Sequence, residues 1–249
     1  MYSGGETWVD ILPPREKLLE YFLTLRILEL EWHHTYMDVA SCMGLFPQFV
    51  AEHLGTKVIR QNLFYTKGVE CVEFPLVWGL VAKDADNLKC STVPITCVGS
   101  DGCAIPMKDN SVDCISLQCS FEHFEGDGDR LFVQEAFRQL KPNGKLLILP
   151  FYCGDRFQEI IRPEYATGCQ FHRYYDPEVY YQRVLRQLAE PFRMEIRYHT
   201  NHKLIDPDFY CAYSLCLVKK PTFKEKLFQK LQEKLSSAMG HPSGKINDW

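Results

Sequence analysis

The segment Asp38-Val39-Ala40-Ser41-Cys42-Met43-Gly44 joins an apolar run to an amphipathic one through small residues. Small side chains let a ligand approach the backbone, and the helix behind such a turn presents free N–H groups and a positive dipole end. Two more polar positions follow apolar runs: Asn62 closes Val58-Ile59-Arg60-Gln61-Asn62-Leu63, and Asp101 follows Ile95 to Gly99. His123 stands just after a further apolar run, Val112 to Leu117. An imidazole there can serve as general base for a hydroxyl or an amine. Further along, His172, Arg173, Tyr174 and Tyr175, with Tyr152 and Arg156, suit a hydroxylated or anionic molecule. Each position also has a plainer reading. Asp101 can cap a turn, Gly44 can be a close packing site, and His123 can hold a turn. The 151–176 segment can be an ordinary loop on the sheet.

These residues need elements to position them. Pro13 and Pro14 open a helical pattern through Leu18, Phe22, Leu25 and Leu28, predicted to end near Trp32. A strand at Tyr36 to Ala40 follows. Next comes an amphipathic helix with Phe46, Phe49, Val50 and Leu54, stopped by Gly55. Strands are predicted at Val58 to Leu63, Ile95 to Gly99, Val112 to Leu117, Leu146 to Leu149, Met194 to His199 and Tyr210 to Val218. Helices are predicted at Leu131 to Leu140 and Pro177 to Leu188. Phe74 to Val81 reads as a buried helix or strand, Asp84 to Thr92 as a polar loop, and residues 151–176 as irregular. Strands alternating with helices make an α/β fold with a mainly parallel sheet. Such sheets bind ligands at the carboxyl ends of their strands, which puts the Asp38–Gly44 turn, Asn62 and Asp101 on one edge.

The chain has 249 residues, 46% hydrophobic and 24% charged, enough for one large α/β domain with a real core. The division read from it is an N-terminal helical segment (1–35), a main domain (36–220) and a C-terminal amphipathic helix and tail (221–249). A formal charge of −4 gives no basic excess, so no nucleic-acid partner is expected. The 11 cysteines are scattered, with no Cys-x-x-Cys pair, so no metal site is expected. Cys97, Cys114, Cys119 and Cys216 lie in apolar runs and read as reduced thiols, which places the chain in the cytoplasm. Met1 to Asp10 lacks the basic start and apolar core of a signal peptide, and no apolar run is long enough to span a bilayer. In the tail, Phe223, Leu227, Leu231 and Leu235 share a helical face among Lys224, Lys226, Lys230 and Lys234. Such a stripe docks on its own domain or on another subunit, a homo-oligomer among the options, or lies on a membrane surface.

The run Val98-Gly99-Ser100-Asp101-Gly102-Cys103-Ala104-Ile105-Pro106-Met107-Lys108-Asp109-Asn110-Ser111-Val112-Asp113 resembles the "D-x-x-x-x-P-x-x-D-N-S-x-D" stretch of class I S-adenosylmethionine-dependent methyltransferases of the type 11 kind. Ser120-Phe121-Glu122-His123-Phe124 resembles that family's "E-H" turn, and Arg138 to Leu146 its "R-x-L-K-P-G-G-x-L" turn. Asp38 and Gly44 match the first motif, while Ala40 and Cys42 stand where glycine is usual, each narrowing the channel and disfavouring positive φ. Asn62 stands at the acidic position of the second motif, and loss of the charge-assisted bond there weakens binding by about 1–2 kcal/mol. The resemblance covers roughly residues 36–150.

The resemblance implies a Rossmann-like, mainly parallel seven-stranded sheet with helices on both faces. It implies S-adenosylmethionine as cofactor, held at Asp38, Ala40, Gly44, Asn62, Asp101 and Gly102. The carboxylate of Asp101 would meet the adenine amino group, and Gly102 the ring. The activity implied is methyl transfer to a small molecule or glycan precursor, with His123 as base and His172, Arg173 and Tyr175 shaping the acceptor pocket. The departures at Ala40, Cys42 and Asn62 also suit a catalytically inactive partner or scaffold subunit of the same fold. A nicotinamide-dependent enzyme is disfavoured, because no G-x-G-x-x-G follows the first strand.

Overall fold

The structure is a computed structural model and describes residues 15–41, 46–63, 95–163, 170–199, 213–226 and 230. The elements run α1 (Arg15–Leu28), β1 (Thr35–Val39), α2 (Phe46–Leu54), β2 (Lys57–Asn62), β3 (Thr96–Gly99), β4 (Val112–Gln118) and α3 (Gly128–Gln139). Then come β5 (Leu140–Leu149), β6 (Gln158–Ile161), β7 (Phe171–Tyr174), α4 (Pro177–Tyr180), β8 (Phe192–Tyr198) and β9 (Tyr213–Lys219). A 3₁₀ turn, Phe121–His123, lies between β4 and α3, and a π turn, Tyr181–Leu185, continues α4.

Seven strands form one sheet in the order β3-β2-β1-β4-β5-β9-β8. β3, β2, β1, β4 and β5 run parallel, and β9 runs antiparallel to both of its neighbours. Alternating side chains divide the core in two. On one face Tyr36, Cys114, Leu147 and Cys216 pack with Ile27 and Leu28 of α1 and Phe46 and Val50 of α2. On the other, Val39, Ile115, Leu117, Ile148 and Leu217 pack with Phe132, Val133 and Phe137 of α3 and Val184 of the π turn. Helices therefore cover both faces of a mainly parallel sheet, the architecture read from the sequence. α1 belongs to this same core, so the 1–35 segment is joined to the main domain through its helix.

Two lysine side chains close helix C-termini, where the last carbonyls lack partners. Lys145 Nζ donates to the carbonyls of Ile27 and Leu28 at 3.0 and 3.3 Å. This ends α1 at Leu28, four residues before the expected stop at Trp32, and Glu29 follows in the left-handed region at φ 54°. Lys219 Nζ donates to the carbonyls of Phe137 and Leu140 at 2.7 and 3.0 Å, which closes α3.

The Lys141-Pro142-Asn143-Gly144 turn lies inside β5, where the pairing with β4 shifts register. Asn143 takes φ 68°. A Cβ on Gly144 would stand 2.8 Å from the Lys141 carbonyl oxygen and 2.9 Å from that of Asp113. Both are backbone atoms and cannot swing away. Gly144→Ala is therefore expected to lose about 1–3 kcal/mol or more by overpacking, read as a lower urea midpoint at unchanged slope.

Other expectations need correction. Residues 151–176 are not wholly irregular: β6 and β7 pair as an antiparallel hairpin, Gln158 opposite Tyr174. The helix expected over Pro177 to Leu188 is α-helical only to Tyr180, where Asp176 caps it by accepting from the Val179 N–H at 3.0 Å. It then widens into the π turn. Phe223, placed on a docking stripe, is 81% exposed, and Leu227, Leu231 and Leu235 lie outside the described residues. So do the element expected at Phe74 to Val81 and the loop at Asp84 to Thr92. Thr222 and Glu225 form the reciprocal bonds of a capping box before residues 223–226. The six described cysteines are free thiols. Burial pushes the Cys114 thiol up to about 12 and that of Cys216 up to about 11, so both act as small hydrophobes. Among the described residues no helix is long and apolar enough to cross a membrane.

Candidate functional site

After β1 the chain turns to β2 on one side, while β4 leads to β5 on the other. β1 and β4 lie side by side. This is where strand order reverses and strand ends splay apart, the place where open α/β sheets hold ligands. The turns that meet there carry Ala40, Asn62, Ser100 to Gly102, and Cys119 to His123.

Asp38 is buried on β1, 5% exposed. Its Oδ1 accepts from Ser116 Oγ at 2.7 Å and from Tyr36 Oη at 3.2 Å. Burial raises its carboxyl above the ordinary range, opposed by hydrogen bonds from Ser41 and Ser116 and by the charge of Arg60. Arg60 is itself buried on β2 and its Nε donates to Ser41 Oγ at 3.2 Å. Asp38 thus fastens the turn after β1 from beneath.

Ala40 lies at φ 52°. It adopts the left-handed conformation for which the resemblance would supply glycine, at a cost of about 1–2 kcal/mol. Gly44 and Cys42 lie outside the described residues. Asn62, the last residue of β2, is 3% exposed, and its carbonyl accepts the Ser100 N–H at 3.3 Å. β3 is thereby aligned so that Asp101 follows Asn62 along the same edge.

Asp101 is exposed, and its Oδ1 accepts the Cys103 N–H at 2.8 Å. The turn-capping reading is therefore realised. A carboxylate offers about four lone-pair sites, so one bond within the turn leaves capacity for an outside donor. Gly102 is buried, and a Cβ there would touch the Phe124 ring at 3.4 Å and Val39 at 3.6 Å. The rest of this run is held to α3 by Arg138, which donates to the carbonyls of Met107 and Ile105 at 2.8 and 3.1 Å and pairs with Asp109 and Glu135. Arg138 thereby joins two stretches that the sequence shows as separate motifs.

His123 ends the 3₁₀ turn beyond β4. Its Nδ1 lies 2.8 Å from the Phe171 carbonyl oxygen, which can only accept, so Nδ1 carries a proton. Nε2 faces Glu122 Oε1 at 3.5 Å, and the His172 ring stands edge-on with centroids 4.7 Å apart. His123 docks β7 over the end of β4 through Nδ1, and Nε2 lies at the strand edge.

The three expected pocket residues of the hairpin separate. His172 stays beside His123. Arg173 and Tyr175 do not face open space: Arg173 is 1% exposed, with Nη1 and Nη2 donating to the carbonyls of Phe124 and Gly126 at 2.8 and 2.9 Å. Nη1 also pairs with Asp129 Oδ2 at 3.0 Å, and Tyr175 Oη donates to the same oxygen. Arg183 Nε adds a third donor at 2.8 Å. A buried guanidinium satisfied in this way is a fastening, so an acceptor role for Arg173 and Tyr175 is corrected to a structural one.

Five contributors carry no role in the sequence reading. Gln61 bridges two strand-end turns, Asp129 gathers the hairpin onto α3, and Glu122 faces His123. From α1, Glu20 Oε1 accepts from Cys119 Sγ at 3.1 Å, and Thr24 Oγ1 lies 3.4 Å from Gln118 Nε2, so the first helix reaches the end of β4. One signal was available: three polar residues, Arg60-Gln61-Asn62, in a strand buried on both faces must each be satisfied by something nearby.

Two surface depressions lie away from this edge. One is bordered by Asp127, Arg130, Glu178 and Arg183, the other by Phe22, Arg26 and Tyr198. Neither includes a residue from the carboxyl ends of β1 to β4, and residues 42–45 and 64–94, which follow β1 and β2 in the chain, lie outside the described residues. Among the described residues no three His, Cys, Asp or Glu side chains gather to hold a metal ion.

A family profile described as a methyltransferase domain matches residues 38–148. No curated protein matches the sequence significantly. Many solved structures share the fold. One is the 1,6-didemethyltoxoflavin-N1-methyltransferase of Burkholderia thailandensis with 1,6-didemethyltoxoflavin and S-adenosylhomocysteine bound. It is 12% identical, with a TM-score of 0.59, over 87% of this chain and 82% of that one. Another is the [4+2]-cyclase SpnF, 16% identical, TM-score 0.54, over 83% and 81% of the two chains. A third is the methyltransferase bound to the Trm112 activator of Haloferax volcanii, 13% identical, TM-score 0.52, over 84% and 94%. At such identities the likeness establishes the fold.

Proposed function

We propose that this chain, whose residues 38–148 match a methyltransferase-domain profile, is a class I S-adenosylmethionine-dependent methyltransferase, with a small-molecule or glycan-precursor acceptor entering beside His123. S-adenosylmethionine is the cofactor of the family and supplies an electrophilic methyl group on a sulfonium. The observation that carries the reading is the left-handed Ala40 at φ 52°. Left-handed backbone at this position is what the family's first-motif glycine would supply, so the turn after β1 presents the main chain that a cofactor would approach.

The chain's own residues then divide the work. The turn after β1, Asn62 at the end of β2 and Asp101 after β3 hold the cofactor, with Asp101 accepting from the base. Asn62 donates and accepts at the sugar. The acceptor is held on the His123–His172 side, where β7 keeps water from the strand edge. His123 takes the acceptor proton through Nε2 while Nδ1 stays anchored on the Phe171 carbonyl. Methyl transfer is an in-line displacement, so alignment by these turns supplies much of the rate.

The rival is a subunit of the same fold that has lost the chemistry; the cyclase SpnF illustrates that a shared fold does not fix the reaction. Calorimetry on the full chain with S-adenosylhomocysteine separates the two. Saturable one-site heat at micromolar to sub-millimolar ligand is expected, with none from NAD. Silence at millimolar S-adenosylhomocysteine would leave the inactive-subunit reading in possession.

A further inference from the structure

Gln61 is 1% exposed on β2, between Val39 of β1 and Val98 of β3. Its side-chain amide spans the strand ends. Oε1 accepts the Ala40 N–H at 3.1 Å, in the turn after β1. Nε2 donates to the Ser100 carbonyl and lies 3.3 Å from Ser100 Oγ, in the turn after β3. The main chain of the same strand adds to this, since the Gln61 carbonyl accepts the Ser41 N–H at 3.0 Å. Only a primary amide offers a donor and an acceptor on one flat group at this length. A buried apolar side chain would leave the Ala40 N–H and the Ser100 carbonyl without these partners.

We propose that Gln61 is a positioning residue of the cofactor crevice. It holds Ala40 left-handed and fixes the turn before Asp101 relative to it. The device accounts for the missing glycine. Glycine enters the left-handed region at no steric cost, whereas alanine needs an outside bond to stay there, and Gln61 supplies it. The inference rests on the cofactor reading above, because the crevice matters only if something binds in it.

The test is a double-mutant cycle with S-adenosylhomocysteine affinity and amide exchange as readouts. Gln61→Met in the wild-type background is expected to weaken S-adenosylhomocysteine at least tenfold, the loss of one to two buried hydrogen bonds' worth of order. In the Ala40→Gly background the same change is expected to cost less than threefold, because glycine no longer needs the latch. A purely structural role would cost the same in both backgrounds. Exchange at the Ala40 amide of the ligand-free protein is expected to speed up at least tenfold in Gln61→Met. That result stands even if the wild type binds no S-adenosylhomocysteine, in which case the cofactor reading fails and the latch survives. Equal costs in the two backgrounds, or unchanged exchange at Ala40, would overturn the latch. If Gln61→Met does not fold, Gln61→Asn carries the same cycle: it keeps a polar amide but is one methylene too short to span the Ala40 N–H and the Ser100 carbonyl.

Discussion

Asp129→Ala is expected to remove about 3–5 kcal/mol of folding stability, the usual result of removing one partner of a buried ion pair. Asp129 is fully buried in the first turn of α3 and Arg173 is 1% exposed. Deleting the carboxylate leaves that guanidinium to the half-exposed Glu159, at 2.9 Å, and to the Phe124 and Gly126 carbonyls, and it takes the acceptor from Tyr175 and from Arg183 as well. Burial already drives the Tyr175 hydroxyl far above its ordinary ionisation range, with Asp129 adding to the effect, so Tyr175 can only remain a donor here. At about 2–4 °C per kcal/mol for a chain of this size, the midpoint should fall by about 6–20 °C. Asp129→Asn, which keeps the shape and one acceptor oxygen, should lose less. A fall below about 2 °C for Asp129→Ala would mean that the hairpin is held by its aromatic contacts alone. Those contacts are extensive, with Phe151 stacked on Tyr175 at 5.8 Å and edge-on to Tyr180 at 4.9 Å.

His123→Asn is expected to reduce kcat by about 10²–10⁴-fold, the range in which one positioned proton acceptor contributes. Asparagine can still donate to the Phe171 carbonyl from near the Nδ1 position, so the docking of β7 is retained while Nε2 is lost. His123→Gln tests the converse, reaching toward Glu122 but releasing Phe171. The rate is read as S-adenosylhomocysteine formation with the best acceptor from a panel of hydroxylated and amine small molecules and glycan precursors. Binding of S-adenosylhomocysteine should stay within about twofold in both variants, as the proposal assigns His123 to the acceptor and not to the cofactor. A rate within threefold of wild type would return His123 to the role of a turn-holding residue.

The parallel strands were legible because each is an apolar run ended by small or polar residues, as with Val39 before Ala40 and Val98 before Ser100. Their order in the sheet was not derivable from periodicity, because pairing between strands far apart in the chain leaves no local pattern. The β6–β7 hairpin escaped notice because Gln158-Glu159 and His172-Arg173 spend polar residues on a small two-stranded unit packed beside the main sheet, where no clean alternation arises. Arg173 and Tyr175 looked like pocket residues for the same reason: arginine and tyrosine suit a ligand and a buried fastening equally. What decides is a carboxylate 44 residues before Arg173 in the chain, in Gly126-Asp127-Gly128-Asp129, which reads as a turn. The α1 stop at Leu28 depends on Lys145, more than a hundred residues away, beyond the reach of any local pattern. Gln61 belongs to the same class, since its meaning lies in two turns that only the folded sheet brings together.

The account stands on a ligand seated over the ends of β1, β2 and β3. A crystal structure of the full chain with S-adenosylhomocysteine addresses that directly. The predicted result is adenine within hydrogen-bonding distance of the Asp101 carboxylate, ribose against Asn62, and Ala40 still left-handed with its N–H on Gln61. Adenine bound elsewhere on the chain, or an Asp101 carboxylate wholly committed to the Cys103 turn with the crevice closed above it, would contradict the claim.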